Sequence, residues 1–66
     1  MTRGEAIVAM REGKKVTHKY FSPDEWVTQD KGQILLEDGV RCSPAEFWRD
    51  RMSDLFKDDW SLFKNQ

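Results

Sequence analysis

The stretch that decides the fold is Val16-Thr-His-Lys-Tyr-Phe-Ser-Pro-Asp-Glu-Trp-Val27. Residues 15–21 alternate with the period of a β-strand, and because each face carries an aromatic side chain, we expect both faces to be covered. The two faces are Val16, His18 and Tyr20 on one side and Thr17, Lys19 and Phe21 on the other. Ser22–Glu25 has a capping serine followed by proline, which predicts one helical turn or a type I turn. A second strand is expected from Trp26.

The residues before this stretch predict a short helix. Thr2 and Glu5 have the spacing of a capping box, in which each side chain accepts a hydrogen bond from the backbone amide of the other residue. Gly13 is placed to end the helix in a left-handed conformation. The apolar stripe of this helix is Ala6, Ile7 and Met10.

The residues after the stretch predict two hairpins. A strand over Trp26–Gln29 is followed by Asp30-Lys31-Gly32, a three-residue loop with glycine where positive φ is needed. The next strand is Gln33–Glu37, with Ile34 and Leu36 expected to point inward. Asp38-Gly39 then predicts a two-residue turn into a strand over Val40–Cys42.

Ser43-Pro-Ala-Glu46 repeats the capping pattern and predicts a second helix. Its apolar stripe is Trp48, Met52 and Leu55. The helix either continues to Phe56 or is interrupted where Ser53 and Asp54 cap a separate turn. Alternation over Trp60–Phe63 predicts an edge strand beside the first strand.

This order of elements predicts an α+β fold: a small antiparallel β-sheet with an N-terminal helix and a second helix after the central hairpin. At 66 residues, the chain is expected to be one domain over residues 1–66 with a small core. A single cysteine excludes an internal disulfide, and one histidine with one cysteine cannot fill a tetrahedral zinc site. Three Trp, four Phe and one Tyr are many large side chains for so small an interior, so we expect a homo-oligomer.

Charge and hydropathy narrow the classes of partner. The net charge of −1 disfavours binding to duplex nucleic acid, although lysines cluster locally at Lys14, Lys15 and Lys19. The sequence has no apolar run long enough to span a bilayer and no signal-peptide core after its first residues, so no membrane partner is expected. Together with the free thiol, this predicts a cytoplasmic protein.

Few residues are candidates for catalysis. His18 and Cys42 could form a base and nucleophile pair, but nothing in their spacing brings them together, and we favour a strand histidine and a small buried cysteine. Asp54, Asp58 and Asp59 lack the glycine-punctuated spacing of a calcium loop and predict a solvated turn. The sequence also has no glycine-rich phosphate loop. We therefore expect no enzymatic activity, no catalytic residues, no metal and no cofactor.

The remaining candidates are basic and aromatic side chains that would bind an anionic ligand. Lysines can neutralise phosphate while interleaved rings stack, and arginines donate to phosphate in a bidentate manner. The predicted ligand-binding residues are Lys14, Lys15, His18, Lys19, Tyr20, Trp26, Trp48, Arg49 and Arg51. The alternative interpretation makes the lysines a solvated strand face, pairs the arginines with helix carboxylates and places the indoles in the core. Trp60 is expected in the core because it belongs to an alternating strand.

Two segments carry a resemblance. They are Gly4-Glu-Ala-Ile-Val-Ala-Met-Arg-Glu-Gly-Lys-Lys-Val16, which precedes a basic and aromatic strand, and Asp54-Leu-Phe-Lys-Asp-Asp-Trp60. Together they resemble the small bacteriophage proteins that include the type-two Thoeris anti-defence proteins. In that family a helix ending in Gly-Lys-Lys-Val leads into a sheet, and a late Leu-x-x-x-Asp-Trp enters the last strand. This chain is shorter, has Tyr20 and Phe21 where the family usually has Trp, and departs from the pattern over Ser22–Arg51.

The resemblance implies an oligomeric, non-enzymatic sponge that sequesters a cyclic-nucleotide-type immune signal between protomers in the host cytoplasm. The matching positions are Lys14, Lys15, Val16, Tyr20 and Trp60. The first hypothesis is therefore a counter-defence protein that binds a small anionic nucleotide at a subunit interface. In it, Lys14, Lys19 and Arg49 take phosphate, and Tyr20, Trp26 and Trp48 stack.

The second hypothesis is a protein-binding inhibitor of a host defence enzyme that acts through an aromatic and arginine-rich surface, because these residue types dominate interface hot spots. Shape separates the two hypotheses. A sponge needs a concave basic pocket, whereas an inhibitor can use a flat or convex patch.

Overall fold

The computed structural model describes residues 1–64, which form a five-stranded antiparallel β-sheet with helices on one side. In chain order the elements are α1 (Arg3–Arg11), β1 (Val16–His18), β2 (Val27–Asp30), β3 (Gln33–Leu36), β4 (Arg41–Cys42), α2 (Pro44–Arg49), a short 3₁₀ helix (Asp54–Phe56) and β5 (Trp60–Leu62). The strand order is β4-β3-β2-β1-β5, so four strands form a meander and β5 returns beside β1. The predicted α+β fold is confirmed. Across the described chain, no helix is long and apolar enough to cross a bilayer.

Helix α1 begins and ends where the sequence indicates. The hydroxyl of Thr2 accepts a hydrogen bond from the amide of Glu5 (3.2 Å), and the Glu5 carboxylate accepts one from the amide of Thr2 (2.8 Å). This completes the predicted capping box. Gly13 follows the last turn with a φ of 86°, a conformation that favours glycine. The helix buries Ala6, Ala9 and Met10.

One side of the sheet, here called the covered face, holds the core. Residues that lie opposite each other on neighbouring strands point to the same side. Val16 lies opposite Val27, and His18 lies opposite Trp60, so all four share this face. The core consists of Ala6, Ala9, Met10, Val16, Val27, Ile34, Phe47 and Trp60. Both helices contribute to it, and the burial of Trp60 confirms its predicted place in the core.

The other side of the sheet, here called the open face, carries Lys15, Thr17, Trp26, Thr28 and Phe63. These residues alternate with the core residues along β1, β2 and β5. The amide of Phe63 donates to the carbonyl of Lys15 (2.9 Å), which sets β5 alongside the start of β1. Within residues 1–64, no helix packs against this face.

Strand β1 is shorter than the predicted strand over 15–21. It ends at His18, because the amide of Phe21 donates to the His18 carbonyl (2.9 Å) and closes a turn over Lys19 and Tyr20. Tyr20 therefore does not share the buried face of Val16, and it is 58% exposed. The predicted turn at Ser22–Glu25 is present, with the Glu25 amide bonded to the Ser22 carbonyl (3.0 Å).

The two hairpin loops have lengths opposite to those predicted. The first loop contains only Lys31 and Gly32, with φ angles of 53° and 78°, because Asp30 still pairs with Gln33. Two consecutive positive φ angles are typical of a type I′ turn. The second loop contains three residues, Glu37–Gly39, because Leu36 pairs with Val40 through a backbone hydrogen bond of 2.9 Å. The prediction for the first loop was wrong because it allowed positive φ only at glycine, whereas Lys31 adopts it too.

Helix α2 starts at the predicted cap but ends at Arg49. The Ser43 hydroxyl accepts a hydrogen bond from the amide of Glu46 (3.1 Å). At the other end, the Phe47 carbonyl accepts from the Arg51 guanidinium (3.2 Å), while the Arg51 amide turns back to Trp48 (3.0 Å). This replaces the bond that would continue the helix. The predicted stripe therefore breaks after Trp48, and Met52 and Leu55 are exposed.

The turn at Lys31 predicts a stabilising substitution. We expect Lys31→Asn to raise the free energy of unfolding by about 0.5–1 kcal/mol, because asparagine adopts positive φ more readily than lysine. Urea denaturation followed by tryptophan fluorescence measures the change. Lys57→Asn is the matched control, because Lys57 has a φ of −73° and the substitution likewise removes one positive charge. An equal change in both variants would contradict the assignment of strain to Lys31.

Candidate ligand-binding site

The structure separates the predicted ligand-binding residues into three groups. The open-face group comprises Lys15 and Trp26 on the open face and Lys14 in the segment that leads into β1. The turn after β1 holds His18, Lys19 and Tyr20. Helix α2 and the residues after it hold Trp48, Arg49 and Arg51.

The open-face group is organised around an indole. The ammonium of Lys15 lies 4.3 Å from the ring centroid of Trp26, in a cation–π contact. The Trp26 ring also lies 6.5 Å from the ring of Phe63, with an interplanar angle of 47°. Lys15, Trp26 and Phe63, all half-buried, are called the basic-aromatic cluster below. The cluster places a positive charge and two aromatic rings at one spot on the sheet.

A recess of about 350 Å³ opens beside this cluster. It lies between the segment that joins α1 to β1 and the end of β5, and it is lined by Gly13, Lys14, Lys15, Leu62 and Phe63. The ammonium of Lys14 pairs with the Glu12 carboxylate at 3.2 Å, but both side chains are more than half exposed. Because exposed ion pairs contribute little free energy, Lys14 can exchange this partner for an anion in the recess.

The backbone that carries the two lysines is fixed on both sides. The Lys14 amide donates to the carbonyl of Ala9 (3.1 Å), and the Lys14 carbonyl accepts from the hydroxyl of Thr28 (2.7 Å). The Lys15 carbonyl accepts from the amide of Phe63 (2.9 Å). Thr28 is buried, so its hydroxyl bond is shielded from water. The lysine side chains therefore extend from a segment tied to α1, β2 and the chain beyond β5.

Phe63 and Leu62 line the site but were not among the predicted ligand-binding residues. The alternating pattern over Trp60–Phe63 indicates an edge strand beside β1, and in the structure this strand brings Phe63 next to Lys15. The predicted strand pairing therefore indicated that the segment containing Phe63 lies near Lys15. Register along the edge decides which residue meets Lys15, and the sequence pattern does not fix that register.

His18 is part of the core. Its side chain is 3% exposed, and the Tyr20 amide donates to Nδ1 (3.1 Å). Because an amide can only donate, Nδ1 accepts, and Nε2 carries the proton that it donates to the Asp58 carbonyl (2.8 Å). The ring also lies 4.8 Å from both Phe56 and Trp60. Both nitrogens are engaged within the chain.

The other two residues of this group are exposed. The ammonium of Lys19 lies 5.6 Å from the ring centroid of Tyr20, and both side chains face solvent. Neither residue lines the recess beside the basic-aromatic cluster. They form a small basic and aromatic surface of their own.

His18 and Cys42 do not form a catalytic pair. Cys42 lies on β4 and His18 on β1, with two strands between them. At the usual spacing of strands, this separates them by roughly 14 Å. In the described part of the chain, no cluster of three or more His, Cys, Asp or Glu residues is arranged to hold a metal ion.

The α2 group is largely used for packing. Trp48 meets Phe47 edge to face at 4.9 Å and Trp60 at 5.4 Å. The guanidinium of Arg51 lies 4.2 Å from the Phe47 ring. Arg49 is 3.8 Å from the Asp50 carboxylate, and both side chains are well exposed. Trp48 and Arg51 thus enclose Phe47, while Arg49 faces solvent.

The open-face group alone combines a recess, two lysines and an aromatic ring among the three groups. Comparisons of the chain with protein-family models, with curated proteins and with solved structures gave no match. The function is therefore inferred from the chemistry of the open face.

The position of His18 predicts a structural role. We expect His18→Ala to lower the free energy of unfolding by about 2–4 kcal/mol, because it leaves a cavity and two unpaired backbone groups. His18→Asn keeps an acceptor near the Tyr20 amide and should cost less. Urea denaturation measures both. Lys19→Ala, at the exposed neighbouring residue, should stay within about 0.5 kcal/mol of the wild type. Equal stability of His18→Ala and wild type would refute the structural role.

Proposed function

We propose that the protein binds a small anionic nucleotide at the recess beside the basic-aromatic cluster, without converting it chemically. The observation that carries the proposal is the Lys15 ammonium over Trp26 at the edge of the recess. A nucleotide presents a phosphate and a planar base, and this cluster offers a cation and a ring to match them. The recess also lies in the range of about 300–1,000 Å³ that is typical of small-molecule sites.

The proposal assigns a role to each residue of the site. Lys14 and Lys15 neutralise phosphate, Trp26 stacks on the base, and Phe63 forms a wall of the recess. Binding alone is proposed, because the lining residues supply cations and apolar surface but no nucleophile with a base beside it. The predicted residues of the other two groups take no part in this site within one protomer.

A second protomer is part of the proposal. The recess opens to solvent, and Leu62 at its rim is 46% exposed. A neighbouring copy would cover this rim and enclose the ligand, which accords with the small core and the many aromatic side chains of the chain. The resemblance to the phage anti-defence proteins supports the same assignment. The ligand would then be an immune signal of the cyclic-nucleotide type, held in the cytoplasm of an infected host cell.

A second candidate function is inhibition of a host protein through a different surface. Tyr20, Met52 and Leu55 are each about 60% exposed and are the most exposed large hydrophobic side chains among the described residues. This candidate predicts that Leu55→Glu abolishes inhibition of the host enzyme while Lys15→Ala leaves inhibition unchanged. The nucleotide proposal instead predicts that Lys15→Ala weakens ligand binding and that Leu55→Glu leaves ligand binding unchanged.

Nucleotide binding can be tested by native mass spectrometry. The purified protein is measured alone and with cyclic di- and trinucleotides and cyclic ADP-ribose isomers. We expect a stoichiometric mass shift with at least one of them and a loss of about tenfold or more in affinity for Lys15→Ala and Trp26→Ala, because each removes a contact to phosphate or base. Lys57→Ala, which also removes one exposed lysine, should bind as the wild type does. A panel without any mass shift would refute the proposal.

The oligomeric state is tested separately by sedimentation velocity at micromolar concentration. We expect a dimer or larger species for the wild type and a shift toward the 7.8 kDa monomer for Leu62→Glu, because the new charge would be buried at the interface. Val40→Glu is the matched control, since Val40 is similarly exposed but lies beside β4 at the opposite edge. A wild-type monomer would contradict the shared site.

A further inference from the structure

The face of Trp26 that Lys15 occupies is not free for stacking. With its ammonium 4.3 Å from the ring centroid, Lys15 fills the place where a planar ligand would lie on that face. Among the carboxylates of the described residues, none forms an ion pair with Lys15, whereas Lys14 has Glu12. The indole is therefore the principal partner of the Lys15 charge.

We propose that Lys15 is a specificity-determining residue, which uncovers the Trp26 ring only when an anionic group enters the recess. The inference rests on the function proposed above and names its ligand class: molecules that carry a phosphate and a planar ring together. Lys15 lines the recess and also covers the indole, so one side chain belongs to both halves of the site.

The direction in which the Lys15 ammonium moves follows from the relative strength of its contacts with the indole and with phosphate. A cation–π contact at a partly exposed site changes an equilibrium constant by a factor of only about 2–5. A charge-assisted hydrogen bond from an ammonium to phosphate is stronger. A phosphate in the recess therefore draws the Lys15 ammonium away from the indole, and the exposed ring face then accepts the base.

The motion is confined to the side chain. The backbone on both sides of the Lys14–Lys15 peptide is hydrogen-bonded to Ala9, Thr28 and Phe63. Rotations within the lysine side chain are sufficient to move the ammonium from the ring to the recess, and such rotations are fast at a protein surface. The sheet therefore does not need to deform when the ligand binds.

This arrangement discriminates against incomplete ligands. An uncharged nucleoside that stacks on this face must displace the ammonium from the ring without offering it a new partner. Inorganic phosphate attracts the ammonium but leaves the uncovered indole without a stacking partner. A nucleotide supplies both contacts, so its two parts bind cooperatively.

The experiment measures dissociation constants for adenosine, AMP and inorganic phosphate by NMR, following the indole N–H resonance of Trp26. This resonance is identified by its absence in Trp26→Phe. In Lys15→Ala we expect adenosine to bind about 2–5 times more tightly, because the ring is uncovered, and AMP to bind about tenfold more weakly, because a phosphate contact is lost. Lys14→Ala is the matched control, which should weaken AMP binding and leave adenosine binding unchanged.

The outcomes separate this inference from the function on which it rests. Opposite changes for adenosine and AMP in Lys15→Ala support the gating role. Weaker or unchanged adenosine binding in Lys15→Ala, with nucleotide binding intact in the wild type, overturns it while the proposed function stands. A wild type that binds neither AMP nor any cyclic nucleotide overturns both. Lys15→Arg, which keeps a cation over the ring, should show no gain for adenosine.

Discussion

The buried imidazole of His18 is the interaction on which the rest of the structure depends. One nitrogen accepts from the Tyr20 amide and turns the chain out of β1, while the other donates to the Asp58 carbonyl just before β5. A single ring therefore fixes both the end of the first strand and the start of the last one. Its contacts with Phe56 and Trp60 join the 3₁₀ segment to the sheet. Without these bonds, polar backbone groups at this corner would be buried without partners.

This arrangement also determines which aromatic side chains remain on the open face. Because α1, α2 and the 3₁₀ segment all pack on the covered face, the aromatic side chains are divided between the two sides of the sheet. Trp48 and Trp60 pack together in or beside the core, whereas Trp26 and Phe63 remain on the open face. The pairing of β5 with β1 then brings Phe63 next to Lys15. The candidate site is thus a consequence of how the core is closed, with Thr28 anchoring the lysine segment.

Local patterns predicted the elements well wherever the decisive interaction lies within a few residues. The capping box at Thr2 and the serine cap at Ser43 involve residues three apart, so they are visible in the sequence and confirmed by the structure. The errors arose where a distant or atypical partner decided the outcome. The turn after His18 depends on a ring bonded across the fold, and the first hairpin depends on a lysine that adopts positive φ.

The sequence by itself determined the α+β class, the first helix, the order of strands and the burial of Trp60, because periodicity and caps are local properties. It also singled out Lys14, Lys15 and Trp26 as candidate ligand-binding residues. Only the tertiary structure decided that these three lie together, that His18 and Trp48 pack within the chain, and that Phe63 completes the cluster. The physical reason is that strand register and the side of the sheet taken by the helices depend on contacts between residues far apart in the chain, and these contacts leave no periodic signal.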